Sequence, residues 1–517
     1  MRHLSGDCNC FDPERVSLDH SDTFASSVKQ VFSRVCTASD KKENRFPSLF
    51  ITDQQELSSC VFETGEIQIS KGTLNYLYQK HIPIEVSEAR LAFILGHEMA
   101  HAAYHSFKKN TFMNMNKTVL QKQMAKIELE ADRYGILFAT FAGFQPEFII
   151  DYNGTNFIQE WEIINQLSHY TTMNSHPNPF SRKKQLQTIA KETKMSLDLF
   201  HAATKLYIIG RFREALACLK KFAVFYPSRE VFNNIGTCYL QLYIQQYNPL
   251  NQFVLPAMID TKSRADLFKY RTRYHSDALV SAKKYFDKAI KRDPYYLVSG
   301  INLSTTFLLM EDTNNAKAIL KPLVKKIKNP HIHNNYAILL WIQNHKQSHP
   351  LIIHHMEKAV SMNDAYCQNL DFFLPSDTMK SLPKKCRERN AQTEHALLDF
   401  YRETTRKNKI EKIMAQEPYN EFIIQDAEMK LAFYSHQNKC VLTINGVPVY
   451  IELKDVQKNF LDLRSDFGHN QLIQLSSPAQ YISFDQDHIV VKMMDGQING
   501  FLFYDFGFKK SLTYRDE

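Results

Sequence analysis

The chain has 517 residues, of which 44% are hydrophobic and 12% aromatic, so it can bury the cores of roughly two to four domains. Lysine and arginine exceed aspartate and glutamate by 63 − 55 = +8, and this modest excess, spread along the chain, argues against a nucleic-acid-binding protein. No apolar run reaches the roughly 18 residues that a transmembrane helix needs, so no transmembrane segment is predicted.

Cysteine usage and the amino terminus bear on the compartment. The nine cysteines are odd in number and never show the Cys-x-x-Cys spacing of zinc ribbons or redox sites. This usage predicts reduced, mostly buried thiols in a reducing compartment. The amino terminus lacks the apolar stretch of a secretion signal, so the sequence as written predicts a cytoplasmic protein. A true start further upstream would hide such a signal, which leaves a periplasmic location open.

The amino-terminal part predicts one helix and three short strands. Apolar residues recur at helical spacing from Asp22 to Val35. Strands are predicted at Leu49–Thr52, Cys60–Phe62 and Glu66–Ile69, because these short runs are rich in β-branched and aromatic residues and the last two flank Thr64-Gly65. Ser87 is the predicted N-cap of the helix that follows.

That helix carries a histidine pair within Leu91–Phe107. His97 and His101 are four residues apart, so one helical turn places both imidazoles on the same face, with Glu98 beside them. Two imidazoles at this spacing suit Zn²⁺, and an adjacent carboxylate can take a proton from a water that attacks a carbonyl carbon. The pattern is short, and it also fits a polar helix face with two satisfied histidines.

A second helix, predicted from Asn116 to Phe144, carries two carboxylates at the same spacing. Glu128 and Asp132 are four residues apart and share a face. If the two helices pack together, Glu128 supplies a third ligand and Asp132 accepts the free N–H of a ligating histidine. Taken alone, the two carboxylates are ordinary solvated charges.

Three blocks, in the same order, resemble the family of HtpX-like, Ste-type and Oma-type zinc metallopeptidases. They are Ile94–His101, Glu128–Gly135 and Ser175–Arg182, the last of which is similar to the family's His-Pro…Arg segment. The resemblance implies a zincin-type α+β domain in which a strand before the histidine helix pairs with an extended substrate. Ser59–Gly65 stands where the family has an Asn-Ala…Pro-Gly-Gly stretch, so the rim of the cleft is left undefined.

The resemblance also implies a role for each residue of these blocks. It implies that one zinc ion is bound by His97, His101 and Glu128. It implies that Glu98 is the catalytic base. Asp132 would bind a ligating histidine, and Arg182 would border the active site together with His176. His176 would polarise the scissile carbonyl or cap the metal; a turn residue before Pro177 is an equally good interpretation.

A region from residue 191 to 365 has the spacing of tetratricopeptide repeats, with about four units. Residues from Gly210 to Pro227 fit one unit, and Asn234–Tyr239 begins a second, whose partner helix follows only after an insertion at 245–276. Stacked repeats form a solenoid whose groove commonly holds peptides, so we expect it to recruit a substrate or partner; a scaffold that only packs on the first domain is the alternative. The insertion is either a loop over this groove or a disordered spacer.

Residues 366–417 are predicted as a linker or helical segment, and residues 418–517 as a small β-rich domain. The basic stretch Pro383–Arg389 fits a solvated linker better than a nucleic-acid site. Val441–Ile451 predicts a hairpin with a primed turn at Asn445-Gly446, and further strands are predicted at 481–484, 488–493 and 500–504. No catalytic pattern occurs there, so this domain has a binding or structural role.

The sequence thus predicts a mainly α protein with a small β component, whose metallopeptidase domain occupies residues 1–190. Its predicted function is Zn²⁺-dependent hydrolysis of peptide bonds in protein substrates, with protein quality control as a physiological setting. The alternative is a tetratricopeptide adaptor whose metallopeptidase domain is inactive or structural. A zinc hydrolase acting on something other than protein is a third interpretation.

Overall fold

The structure, a computed structural model, describes residues 24–39, 47–62, 65–104, 117–153, 157, 160, 179–265, 277–374, 407–437, 439–454, 472–473, 480–484, 489–494 and 497–504. The chain divides into two compact units. The first comprises Met1–Asp198 with Ser263–Asp266, and the second comprises Leu199–Lys262 with Leu267–Glu517. The predicted domain boundary at residue 190 stays a prediction.

The first unit combines helices with a small sheet. Its described helices are α1 (Ala25–Ala38), α2 (Lys71–Leu77), α3 (Ile84–Tyr104), α4 (Lys117–Phe141), α5 (Pro146–Ile150) and α6 (Pro179–Ile208), the last of which continues into the second unit. Its described strands are β1 (Leu49–Thr52), β2 (Ser59–Val61) and β3 (Ile67–Ser70). Their order is β1-β3-β2, with β1 parallel and β2 antiparallel to β3, so β2 is an edge strand. The predicted helices and strands of this part are confirmed, with shifts of a few residues at their ends.

Helices α3 and α4 pack along each other in the core of the first unit. Leu91, Leu95 and Met99 recur every four residues on α3 and are buried, which gives this helix one continuous apolar face. The predicted N-cap is wrong, because α3 begins at Ile84 and Ser87 lies inside its first turn. Pro83 precedes the helix with a backbone geometry suited to a helix start, and the Ser87 hydroxyl donates instead to the Leu77 carbonyl at 2.6 Å.

The cysteines are only partly the reduced thiols that the sequence predicts. Cys36, Cys218 and Cys238 are reduced and buried, and Cys440 is reduced and half-buried. Burial raises the pKa of the Cys218 and Cys238 thiols, which keeps them in the neutral, unreactive form. Two other cysteines are disulfide-bonded, Cys60 and Cys367, so the prediction is wrong at these positions.

The second unit continues with successive helices that contact one another. They are α7 (Phe212–Ala223), α8 (Arg229–Gln246), α9 (Ala278–Arg292), α10 (Leu297–Leu309), α11 (Thr313–Lys326), α12 (Pro330–Gln343), α13 (Pro350–Met362) and α14 (Cys367–Phe373), and a further helix, α15 (Lys407–Met414), contacts strands of the sheet that follows. Helix α8 pairs with α9 across the predicted insertion, α10 with α11, and α12 with α13. Leu370 and Phe373 of α14 are buried in the same apolar core, so the predicted linker begins as part of this core. No described helix is long and apolar enough to cross a membrane.

A β-sheet follows the helices of the second unit. Its described strands are β4 (Asn420–Ile424), β5 (Met429–His436), β6 (Lys439–Ile444), β7 (Val447–Lys454), β8 (Leu472–Ile473), β9 (Gln480–Phe484), β10 (Ile489–Met494) and β11 (Gln497–Tyr504), in the order β4-β5-β6-β7-β11-β10-β9-β8. The predicted hairpin is confirmed as β6–β7, and Asn445 and Gly446 both have positive φ, as a type I′ turn requires. Strands β4 and β5 were not predicted. Lys205 of α6 forms an ion pair with Glu452 of β7 at 2.5 Å, which joins this sheet to the helices.

Candidate metal centre

Helices α3 and α4 bring three potential metal ligands together. His97 and His101 lie one turn apart on α3, and their Nε2 atoms are 3.0 Å from each other. The two carboxylate oxygens of Glu128 on α4 each lie 3.5 Å from one of these nitrogen atoms. One potential ligand atom from each of the three residues lies within 4.8 Å of the other two, and this is the group in the described residues that could hold a metal ion.

The spacing of these atoms fits a tetrahedral zinc site. Ligand bonds of about 2.0–2.2 Å at tetrahedral angles place neighbouring donor atoms roughly 3.3–3.6 Å apart. The two Nε2 atoms are 3.0 Å apart and each lies 3.5 Å from the nearer oxygen of Glu128, so the contacts between the three residues lie close to this range. His101 and Glu128 are buried, so two imidazoles and a carboxylate face one point in a largely desolvated place. This donor set fits zinc, and one position of the tetrahedron is left for water or substrate.

Asp132 and Arg182 hold His97 in the orientation that metal binding needs. The His97 Nδ1–H donates to Asp132 Oδ1 at 3.0 Å, which leaves the lone pair of Nε2 for a metal. Arg182 donates to both oxygens of Asp132, from Nε at 2.5 Å and from Nη2 at 2.6 Å. Asp132 is fully buried, so this bidentate ion pair fixes the carboxylate in place.

The charges around His97 favour a cation at this point. Burial lowers the pKa of the His97 imidazole, but the hydrogen bonds and negative charges of Asp132 and Glu128 outweigh burial and raise this pKa to about 10. Two carboxylates beside the imidazoles therefore stabilise a positive charge, which a proton or a metal ion can supply. A metal ion at the Nε2 atoms would satisfy the same electrostatic demand without protonating the histidines.

Glu98 lies next to the ligands and has a partner that the sequence does not reveal. Its side chain is buried, and Oε1 accepts a hydrogen bond from the Ser59 hydroxyl of β2 at 2.8 Å. Burial raises the pKa of the Glu98 carboxyl, which the charge of His97 and the Ser59 hydrogen bond oppose. A general base is most effective when its pKa lies near the working pH, so a raised pKa suits Glu98 to this role at neutral pH. Ser59 lies in the stretch Ser59–Gly65, which departs from the family pattern. This departure was the one sequence feature that could have drawn attention to Ser59.

Of the predicted site residues, the structure brings six together: His97, Glu98, His101, Glu128, Asp132 and Arg182. The predicted pairing of Asp132 with a ligating histidine matches the observed contact with His97. Arg182 acts on this histidine through Asp132. His176 lies outside the described residues, and its role stays a prediction.

Two glycines let the ligand-bearing helices approach closely. Gly135 shares a face of α4 with Glu128 and Asp132, and it lies against Phe93 of α3. A Cβ at Gly135 would be 2.9 Å from the Phe93 carbonyl oxygen, and a Cβ at Gly96 would be 3.1 Å from Gly135 Cα. Because backbone cannot move aside as a flexible side chain does, the absence of a side chain here sets the distance between the helices.

We expect Gly135→Ala to destabilise the first unit by about 1–3 kcal/mol, because the added methyl group forces α3 and α4 apart. Glu128 then moves away from the histidines, so zinc affinity falls as well. Urea unfolding and a zinc-chelator competition assay measure the two effects. Gly300→Ala in α10 is the matched control: no atom lies within 4 Å of its Cβ, so it should be neutral or stabilise by up to about 1 kcal/mol. Equal behaviour of the two variants would contradict the packing argument.

The geometry can be compared with known proteins. Residues 24–127 match the model of peptidase family M48. M48 peptidases are metal-dependent, so the match indicates a metallopeptidase domain in the first unit. It spans 127 − 24 + 1 = 104 of the 517 residues and stops one residue before Glu128, so the position of the third ligand rests on the structure. No curated protein matches the chain.

Proposed function

We propose that the first unit is a zinc-dependent endopeptidase of the M48 type. The observation that carries this proposal is the convergence of His97, His101 and Glu128 on one point, with the buried carboxylate of Glu98 beside them. The match to the M48 model over the histidine helix supports the same chemistry. The HtpX-like, Ste-type and Oma-type relatives that the sequence resembles use these residue types in these roles.

In the proposed mechanism, His97, His101 and Glu128 would hold zinc, which when bound would supply Lewis-acid chemistry to the scissile carbonyl and to water. Glu98 accepts a proton from the attacking water and then gives it to the leaving amine. Ser59 holds the Glu98 carboxylate through its hydrogen bond and so fixes the direction in which the proton moves. Asp132, itself fixed by Arg182, keeps His97 Nδ1 protonated and its Nε2 available.

The edge strand β2 offers a place for the substrate. Among the described residues, β2 pairs on one side with β3 and ends the sheet. An extended peptide can add to such an edge through backbone hydrogen bonds, which hold it without reading its sequence. Ser59 belongs to this strand and contacts Glu98, so a peptide paired with β2 would run beside the proposed base. The helices of the second unit, which we propose as tetratricopeptide-like repeats, would recruit the substrate or a partner.

Metal content and chelation test the proposal directly. We expect the purified chain to hold one zinc ion and to cleave peptides of a random library, and a chelator should abolish cleavage until zinc is restored. His101→Gln removes one ligand and should lose the metal, whereas His354→Gln, at an exposed position of α13, should change neither metal content nor cleavage. A chain that carries far less than one equivalent of zinc would favour an adaptor. Metal without peptide cleavage would favour another substrate class.

A further inference from the structure

Four helices of the second unit, α8, α10, α12 and α14, carry buried asparagines. We call this set of side chains the asparagine face; it comprises Asn233 and Asn234 of α8, Asn302 of α10, Asn334 and Asn335 of α12, and Asn369 of α14. Each is at most 1% exposed. A buried amide group without hydrogen-bond partners destabilises the fold, so the face requires polar groups opposite it.

Asn335 donates to the hydroxyls of Ser304 and Thr305 in α10, and the groups opposite most of the other asparagines come from the insertion between α8 and α9. We call Leu250–Lys262 the strap. Asn302 accepts from the Met258 N–H at 2.8 Å and donates to the Met258 carbonyl at 2.7 Å. Asn234 makes the same two contacts with the N–H and carbonyl of Asp260, both at 2.8 Å. The insertion therefore lies along the helices as far as it is described, and residues 266–276 fall outside the described part.

We call such a pair of hydrogen bonds, from one asparagine side chain to the N–H and carbonyl of one residue, a clamp. A third clamp occurs at the other end of the strap. Asn369 accepts from the Val254 N–H at 2.7 Å and donates to its carbonyl at 2.9 Å. Pro256 has no N–H, and here a hydroxyl, that of Thr305, donates to the carbonyl at 3.0 Å. The bonded positions are thus every second residue of the strap, 254, 256, 258 and 260. This spacing is typical of an extended chain, in which every second residue faces the same side.

These contacts recognise backbone and not sequence. One carboxamide carries a donor and an acceptor, which match the N–H and C=O of a single extended residue. Any residue except proline can supply both groups at the three positions that asparagines clamp. An extended segment of another polypeptide would therefore find the same bonds on the asparagine face that the strap makes.

One side chain anchors the strap. The ring of Phe253 lies 5.1, 4.9 and 5.3 Å from the rings of Trp341, Phe372 and Phe373. Phe253 is buried and packs edge-on against the rings of Trp341 and Phe372. Edge-on ring contacts stabilise the strap beyond the burial of apolar surface. An incoming segment with an aromatic residue five positions before the residue that takes the place of Met258 would reproduce this anchor as well.

We propose that the asparagine face is a binding site for extended polypeptide backbone and that the strap is its built-in competitor. The strap is an addition to the helix pair, because α10 with α11 and α12 with α13 are joined by short connections and pack without such a segment. Its bonds to the face are of the kind that an incoming peptide re-forms, so exchange costs little in hydrogen bonding. The proposal rests on the recruiting role of the repeats and is independent of the zinc chemistry.

A labelled peptide with the sequence of Leu250–Arg264 tests this exchange by fluorescence anisotropy. All proteins carry Glu98→Gln, so that the probe is not cleaved and a failure of the proposed peptidase activity does not affect the readout. Met258→Pro removes the N–H that Asn302 accepts and loosens the strap, and we expect it to bind the peptide at least tenfold more tightly than the parent. Leu255→Pro is the matched control, because no described hydrogen bond involves the Leu255 N–H.

The asparagines themselves provide the second arm. Adding Asn302→Asp to Met258→Pro places a carboxylate against the peptide carbonyl and should abolish the gained affinity, whereas adding Asn314→Asp on the exposed side of α11 should not. Absence of peptide binding to the folded Met258→Pro variant would overturn the proposal. Binding that ignores Asn302→Asp would overturn it too.

Hydrogen exchange of the unmodified chain decides the matter if Met258→Pro does not fold. The amides of Val254, Met258 and Asp260 should exchange faster than those of α8 and α10, because a competitor must leave the face without unfolding the helices. Excess peptide should speed exchange at these three amides further. Protection equal to that of the helices would show that the strap is a fixed part of the core, and the proposal would fail.

Discussion

Glu98→Gln is expected to lower kcat for peptide cleavage by a factor of about 10²–10⁴ while zinc content stays unchanged. The amide has the shape of the carboxylate and can still accept the Ser59 hydrogen bond, so the site keeps its geometry. It cannot accept a proton, which removes the proposed base. Because Glu98 is not a ligand in the cluster of His97, His101 and Glu128, the metal should stay bound.

Steady-state cleavage of a library-derived peptide, with metal analysis of the same samples, measures both quantities. Glu85→Gln makes the same change at an exposed position in the first turn of α3 and should cleave at the parental rate. If Glu98→Gln cleaved as fast as the parent, Glu98 would not be the base. If it lost zinc, the negative charge of Glu98 would be needed to hold the metal, and the loss of cleavage would no longer identify a base.

Asp132→Asn should destabilise the first unit by about 3–5 kcal/mol, because the buried guanidinium of Arg182 loses the charge that it pairs with. Zinc affinity should also fall about 10–100-fold, since His97 loses the carboxylate that fixes its tautomer. Asp151→Asn is the matched control. Its ion pair with Lys183 is solvent-exposed, so its loss should cost at most about 1 kcal/mol.

The stability difference between the parent and Asp132→Asn should depend on pH. Burial raises the pKa of Asp132, but the charge of Arg182 and the hydrogen bonds from Arg182 and His97 outweigh burial and hold it well below its usual range. Its stabilisation is therefore complete above roughly pH 4, the usual pKa of an aspartate in an unfolded chain, and is lost as the pH falls further. Urea unfolding should show the difference between parent and Asp132→Asn shrinking on acidification below pH ~4. A difference that grows there would contradict this electrostatic account.

Some features of the site follow from local spacing alone. Histidines at 97 and 101 and carboxylates at 128 and 132 share helix faces because 3.6 residues make a turn, whatever the rest of the chain does. The turn at Asn445-Gly446 is equally local, since these residues tolerate the positive φ that the hairpin needs. Such features depend on residues within a few positions of one another, and so they could be predicted.

Long-range packing decided what spacing could not. Ser59 contacts Glu98 across 39 positions, and Asn369 clamps Val254 across 115. Gly135 carries no side chain because it lies against the backbone of another helix, which no local pattern shows. By itself the sequence determined which residues share a helix face, and hence the ligand pairs. Only the tertiary structure decided which faces meet, because side-chain packing over the whole unit selects among many partners that local spacing leaves equivalent.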